Sequence, residues 1–319
     1  MPKIGSNSNK TNARGQIEQP ASQKRDEKVS TPAGQDDKLK RNQDQFESPT
    51  PDRSATLLGA TDSGPTVLGN PSEPVVMDKD KGLVTYQRQT GQLFVDGPSG
   101  DDVLQGSIGD CFLVGTLSAM AYTDPSVIRN AIKDNGNGTY TARFFEWAPG
   151  GAHKPVEVTV DSKLPMIADM PAYGASRSPD ELWFPMLEKA YAQWKGGYQA
   201  IGDGGLAGDV MEAMTGRPAT VSFVEQMSSS EAFDTIKAEL QAKHAVVAGS
   251  SQDDSVRSVN IRPHHLYAVV NVSEEAGQKY ITLRNPAGTE EFGNDGKDDG
   301  VFKMKMDDFM KHYYRIFTN

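Results

Sequence analysis

The 319-residue chain carries 33 Lys and Arg against 43 Asp and Glu, a formal net charge of −10, and only 36% of it is hydrophobic. An acidic chain has no basic footprint for a polyanion, so nucleic-acid binding through its folded surface is excluded and cation binding suits it better. The single cysteine, Cys111, rules out an intramolecular disulfide and every multi-cysteine zinc site, so any role it has is that of a thiol.

Residues 1–80 contain no Trp or Tyr and a single Phe, Phe46, and their Gln, Ser, Asn, Pro and charged residues follow neither a helical nor a strand period. They hold 11 basic and 12 acidic residues, which leaves a balance of −9 to the rest of the chain. Such a segment cannot bury enough apolar surface to offset the entropy of ordering. We therefore read 1–83 as a disordered polar N-terminal extension. A bland tether is the favoured role, and a leader for a specialised secretion machine is the alternative. No run of 18 apolar residues occurs, and Met1 to Lys10 is polar where a secretory signal needs an apolar segment. A soluble cytoplasmic protein without membrane insertion is expected, or one exported by a signal-peptide-independent route.

Structure is expected from an alternating stretch, Val84–Val95, followed by a turn-rich acidic loop at 96–102. Gln105-Gly106-Ser107-Ile108-Gly109-Asp110-Cys111 then leads into Phe112–Ala121, apolar almost all round, which predicts a buried helix with Cys111 in its first turn. Gly138–Trp147 and Val156–Val160 read as strands, and Glu181–Lys195 and Asp209–Met214 as helices. After Thr215-Gly216-Arg217-Pro218 the character changes. Ala245–Gly249, Leu266–Val272 and Tyr280–Leu283 are β-rich, with Ser229–Lys243 helical between them. Two lobes follow from this: a helical one over 84–216 and a β-rich one over 217–319.

A lone cysteine is more often a small buried hydrophobe than a nucleophile. At a helix N-terminus, however, unpaired backbone N–H groups and the positive end of the helix dipole stabilise a thiolate. Gly106 and Gly109 let the chain turn tightly before the helix and present the thiol at a surface. A cysteine nucleophile needs a base. Of the histidines at 153, 244, 264, 265 and 312, only the pair 264 and 265 opens a strand, and the strand after it ends in Arg284-Asn285-Pro286. Two adjacent strands would hold one imidazole beside Asn285, which orients the ring while its other nitrogen faces the thiol. Neighbours on a strand point to opposite faces, so one histidine of the pair serves.

These segments resemble the calpain family of cysteine proteases. Gln105–Cys111 is similar to the nucleophile motif, and Leu187-Glu188-Lys189-Ala190-Tyr191-Ala192 with Gly197–Ala200 to the helix that follows the active-site helix in sequence. His265–Val269 and Leu283–Gly288 resemble the histidine and asparagine segments, and Gly300–Met310 the closing segment of the protease core. The resemblance covers roughly 92–317, in order. It implies an α+β, two-lobed papain-like core, with Cys111 as nucleophile, His265 as base and then acid, Asn285 as orienter, and Gln105 donating its amide to the oxyanion with the Cys111 N–H. His264 takes the part of a bystander.

The resemblance also implies one calcium ion in the helical lobe, at the positions of Val95, Gly97, Asp102 and Glu181, whose oxygens suit a hard cation. A second site is doubtful: Glu291, Asp299 and Asp298 match acidic ligands, but Val301 and Lys297 depart from the pattern. Ala287 replaces a shielding Trp, and Gly100 and Val301 replace a pair that bridges the lobes in the family, which implies an altered calcium switch or none. The expected function is limited proteolysis of protein substrates. Two alternatives stand: a Cys–His acyltransferase or transglutaminase, separable by ammonia release and isopeptide products, and a catalytically silent calpain-like binding protein, against which the four intact site residues argue.

Overall fold

The computed structural model describes residues 66–68, 73–148, 151, 153–293 and 296–319. Most of the extension expected at 1–83 lies outside the described residues. Its last part departs from expectation. Met77 is buried, its N–H donates to the Tyr173 hydroxyl at 2.9 Å, and that hydroxyl donates to Asp80 Oδ2 at 3.1 Å. Scattered apolar contacts and hydrogen bonds to distant residues, among them Tyr198 N–H to the Val75 carbonyl at 2.7 Å, hold this stretch, so it carries no hydrophobic period by which a sequence could announce it.

The first half of the fold begins with strands β1 (Thr66–Leu68), β2 (Thr85–Arg88) and β3 (Val103–Leu104). Helices α1 (Cys111–Thr123) and α2 (Pro125–Ala131) come next, then β4 (Ile132–Asp134), β5 (Thr139–Trp147) and β6 (His153–Asp161). Short strands β7 (Lys163–Ile167), β8 (Met170–Pro171) and β9 (Ala175–Ser176) lead to α3 (Trp183–Lys195), α4 (Tyr198–Ile201) and α5 (Ala207–Thr215). Four strands form a sheet in the order β1-β6-β5-β4.

Helix α1 is buried from Phe112 to Ala121 because no side of it is polar; its Thr116 and Ser118 hydroxyls donate to the carbonyls of Phe112 (2.6 Å) and Gly100 (2.9 Å). Helix α3 stops where Gly196 adopts φ 102°, a left-handed conformation that glycine reaches without strain. The strand expected over Val84–Val95 shortens to β2. Beyond it Gln92 pairs with the 180–182 segment instead: its N–H donates to the Asp180 carbonyl at 2.8 Å and its carbonyl accepts from Leu182 N–H at 3.0 Å. That pairing carries Glu181 to the loop after Gln92.

The second half comprises β10 (Thr220–Phe223), α6 (Ser229–Gln241), β11 (Val246–Ser250), β12 (Leu266–Glu275), β13 (Gln278–Arg284), β14 (Val301–Lys305), α7 (Met306–His312) and β15 (Tyr313–Thr318). Ser228 and Glu231 close a reciprocal capping box at the start of α6. The strands form one antiparallel sheet in the order β10-β15-β11-β12-β13-β14.

Strand β12 explains how the halves join. Leu266 and Ala268 belong to the apolar cluster around α1, whereas Tyr267 and Val269 belong to the cluster beneath α6 and α7. The two-residue period of the strand thus sends alternate side chains into two cores. Gly115 marks the closest approach: a Cβ there would lie 3.1 Å from the Leu266 carbonyl oxygen. The start of α1 and the start of β12 are therefore held together by backbone contact.

Candidate active site

Cys111 is the first residue of α1 and lines a cleft of about 570 Å³ together with Gln105, Gly109, Gly204, His264 and His265. Its presentation depends on Gly109, whose N–H donates to the Gly202 carbonyl at 2.8 Å and whose missing Cβ would lie 2.6 Å from the same oxygen. The N-cap residue, Asp110, makes no side-chain cap. Leu113 and Val114 donate to the Asp110 carbonyl, so of the first turn the Cys111 N–H is the group with no intrahelical acceptor.

His265 immediately precedes β12 and Asn285 immediately follows β13; because Ala268 lies opposite Arg284 in the antiparallel register, both reach the same end of the sheet. His265 Nε2 is 2.9 Å from Asn285 Oδ1. The Asn285 amide nitrogen donates to the carbonyls of Thr289 (2.8 Å) and Glu290 (3.2 Å), and Oδ1 also accepts from Ala287 N–H (3.1 Å). Oδ1 is therefore an acceptor on both sides, so His265 Nε2 carries the hydrogen and Nδ1 keeps the free lone pair. Asn285 is fully buried and His265 nearly so.

Burial also sets the charges. It pushes the Cys111 thiol up to about 12, with backbone groups of Leu266 and Phe112 and the Arg262 charge pulling only partly the other way. The helix N-terminus was expected to depress this value, but desolvation by the packed first turn outweighs it. Burial likewise pushes His265 down to about 4 against the hydrogen bond it donates to Asn285. Both groups rest neutral in the cleft they line together, one as a thiol and the other as an unprotonated imidazole.

Gln105 lies on the cleft wall, with its side-chain nitrogen donating to the Ile108 carbonyl (2.9 Å) and to Asp110 Oδ1 (3.3 Å). Both amide hydrogens are engaged, so the amide must turn before it can serve an oxyanion. Beneath it lies a feature that sequence reasoning missed. Asp110 and Glu188 are both buried and their carboxyl groups interact, so that burial together with like charge favours keeping a proton on the pair. Glu188 also accepts from Gly174 N–H at 2.9 Å. Burial pushes Asp110 up to about 6 and raises Glu188 well above the carboxylate range.

His264 differs from the bystander expected of it. Its φ of 51° breaks the strand alternation, so it lines the cleft alongside His265. Arg262 lines the cleft as well and pairs with Glu290, whose carbonyl accepts from the Asn285 amide. Only the bare presence of Arg262 three residues before His265 could have signalled this.

Of the four residues expected at a metal ion, Val95, Asp102 and Glu181 meet, while Gly97 lies against the Arg129 guanidinium. Glu181 Oε1 accepts from Val95 N–H at 2.7 Å, while Asp102 Oδ2 accepts from Ser99 N–H (2.6 Å) and Trp183 Nε1–H (3.0 Å). Glu181 is buried, and burial pushes it up to about 7, with the Asp102 carboxylate raising it further. Two carboxylates brought together are oxygen donors of the kind a hard divalent cation takes. Among the described residues no group of three or more His, Cys, Asp or Glu converges as a metal site, so any cation here also needs carbonyl donors. In the doubtful second region Glu291 Oε1 accepts from the N–H groups of Asp299 and Gly300, both at 2.7 Å, and so anchors backbone.

Across the halves, the position of the lost family pair at Gly100 and Val301 is served by Arg284. Its fully buried guanidinium donates to the Val103 carbonyl at 2.6 Å and to the Asp101 carbonyl at 3.3 Å.

The model of the calpain family cysteine proteases matches residues 81–295. The chain is 30% identical over 264 residues to calpain-type cysteine protease DEK1 of Zea mays, covering 71% of this chain and 12% of that protein. It is 26% identical over 288 residues to the calpain-2 catalytic subunit of Gallus gallus, covering 80% and 41%, and 25% identical over 256 residues to calpain-9 of Mus musculus, covering 70% and 37%. The chain thus spans about an eighth of the plant relative and about two fifths of the animal ones.

Proposed function

The chain belongs to the calpain family of cysteine proteases, and from that premise we propose that it is a cysteine endopeptidase performing limited proteolysis of protein substrates. One observation carries the reading: Cys111, at the uncapped start of α1, shares its cleft with a His265 whose Nδ1 lone pair is set free by Asn285.

In this reading the Cys111 thiol gives its proton to His265 Nδ1 as sulfur attacks the substrate carbonyl carbon. Negative charge passes to the carbonyl oxygen, which the Cys111 N–H and the turned Gln105 amide receive. The imidazolium protonates the departing amine, leaving a thioester. Water then attacks the thioester, giving one proton back through His265 and releasing the new carboxylic acid. Asn285 holds the ring in place throughout.

A calcium ion would be held by Asp102 and Glu181 with the carbonyls of Val95 and Gly97, where its charge relieves the repulsion between the two carboxylates. No step of the hydrolysis passes through it. Among the described residues no helix is long and apolar enough to cross a membrane.

The test is cleavage of casein by the wild type and Cys111→Ala, each with calcium and with chelator, followed by N-terminal mapping of the products. Cleavage by the wild type alone, with new N-termini, is expected. Ammonia release without new N-termini overturns the reading.

A further inference from the structure

Beside the catalytic cleft lies a second cavity of about 570 Å³, and Gly204 belongs to the walls of both. Phe112, the residue after Cys111, lines it as well, so a polypeptide crossing the cleft passes its mouth. Its walls are aromatic: Phe145 and Trp147 come from β5, Tyr191 and Trp194 from α3.

Charge distinguishes this cavity from a plain apolar pocket. Three carboxylates, Glu146, Asp209 and Glu212, share the lining with one ammonium, Lys195. At its edge His153 is an unsatisfied group: its side chain is only 4% exposed, its Nε2 has no hydrogen-bond partner, and Glu212 Oε2 stands 3.5 Å away. The rings already receive cations from this chain. Lys195 Nζ lies 3.6 Å from the centroid of a Trp194 ring, and the Arg143 guanidinium carbon lies 5.5 Å from that of Phe145.

Aromatic faces and surplus carboxylate together select a cation borne on an apolar stem. An acidic side chain would meet like charge, and a neutral one would leave uncompensated the negative charge that Lys195, already attracted to Asp209 and Glu146, does not balance. We propose that this cavity is a specificity subsite that takes an arginine or lysine side chain of the protein substrate, at a fixed spacing from the scissile bond. The proposal rests on the protease reading for its place in the reaction, but the recognition itself is a binding event.

The test therefore separates the two. The full chain carrying Cys111→Ala is titrated by calorimetry with Gly/Ala octapeptides containing one arginine, or one citrulline, its neutral near-isostere. The arginine peptide is expected to bind about tenfold more tightly. Asp209→Asn and Glu146→Gln, added singly, are expected to remove most of that difference while leaving the thermal midpoint unchanged. Equal binding of the two peptides overturns the proposal, as does an arginine preference that neither substitution touches. Failure of the wild type to cleave casein, with the arginine preference intact, would instead count against the protease reading alone. If cleavage occurs, walking arginine along a peptide library should raise kcat/KM at one position, and Asp209→Asn should flatten that peak.

Discussion

Asn285 decides where the proton sits on His265. With its amide nitrogen committed to the carbonyls of Thr289 and Glu290, its oxygen is turned to His265 Nε2 at 2.9 Å. Replacing it by alanine frees the ring to rotate and to take the other tautomer. Asn285→Ala is expected to lower kcat by about 10²-fold or more with a smaller change in KM. It should also destabilise the fold by about 1–3 kcal/mol, because the buried His265 Nε2–H loses its acceptor. Steady-state kinetics on a fluorogenic peptide and urea unfolding measure the two effects, and an unchanged kcat would remove Asn285 from the reaction.

The neutral resting pair predicts a displaced pH profile. Cys111 is pushed up to about 12 and His265 down to about 4, chiefly by burial, so over the interval in between the proton rests on sulfur and the ring is neutral. The acid limb of kcat/KM is expected near pH 4 rather than near 6.5, the ordinary value of a histidine. A limb centred at about 6.5 would identify a solvated imidazole as the working base.

The proton kept on the pair Asp110 and Glu188 has a consequence for stability. Both carboxyls titrate higher in the folded chain than in the unfolded one, Asp110 at about 6 instead of 3.8. The folded state then binds more protons over that interval, so this contribution is present at low pH and is lost as pH rises through about 6. Glu188→Gln keeps an oxygen for Gly174 N–H without the need for a proton. Its melting temperature, relative to wild type, is expected to rise between pH 5 and pH 8, by roughly 2–4 °C for each kcal/mol recovered. A gap between variant and wild type that stays constant with pH would mean that the pair keeps no proton.

Calcium binding is expected to raise the melting temperature of the wild type and to leave Glu181→Gln unmoved. At a free concentration 100 times Kd, the gain amounts to about 2.7 kcal/mol. Calorimetric scans with calcium and with chelator read it directly. Equal shifts in both proteins would place the ion elsewhere.

Arg284 is expected to be as sensitive as a core residue. Its buried guanidinium joins the strand that precedes Asn285 to the loop of Asp101 and Val103. Arg284→Met should destabilise the chain by about 3 kcal/mol, since two carbonyls lose charged donors. Should the midpoint in urea hold, the tie carries no weight.

The parts of the site that were legible in the sequence are those written in local pattern. The apolar run after Cys111, the glycines before it and the alternation of Leu266–Val272 are each contained within a dozen residues, and each emerged with nearly the expected limits. What stayed hidden depends on partners far apart in the chain. Asp110 meets Glu188, Met77 meets Tyr173, and Arg262 meets Glu290 only after the chain has folded, and none of these residues carries a periodic signal. The desolvation of Cys111 was missed for the same reason. The dipole of α1 can be inferred from one segment, whereas the burial that overrides it comes from every segment packed around that first turn.

The contact between Gly115 and the Leu266 carbonyl sets a limit on redesign. An engineer seeking new cleavage preferences would begin at the more exposed wall residues, such as Trp147. One methyl group added at position 115, remote from any substrate, would wedge helix from strand and shift sulfur against imidazole. Part of this scaffold's intolerance to change is therefore set at a residue with no side chain at all.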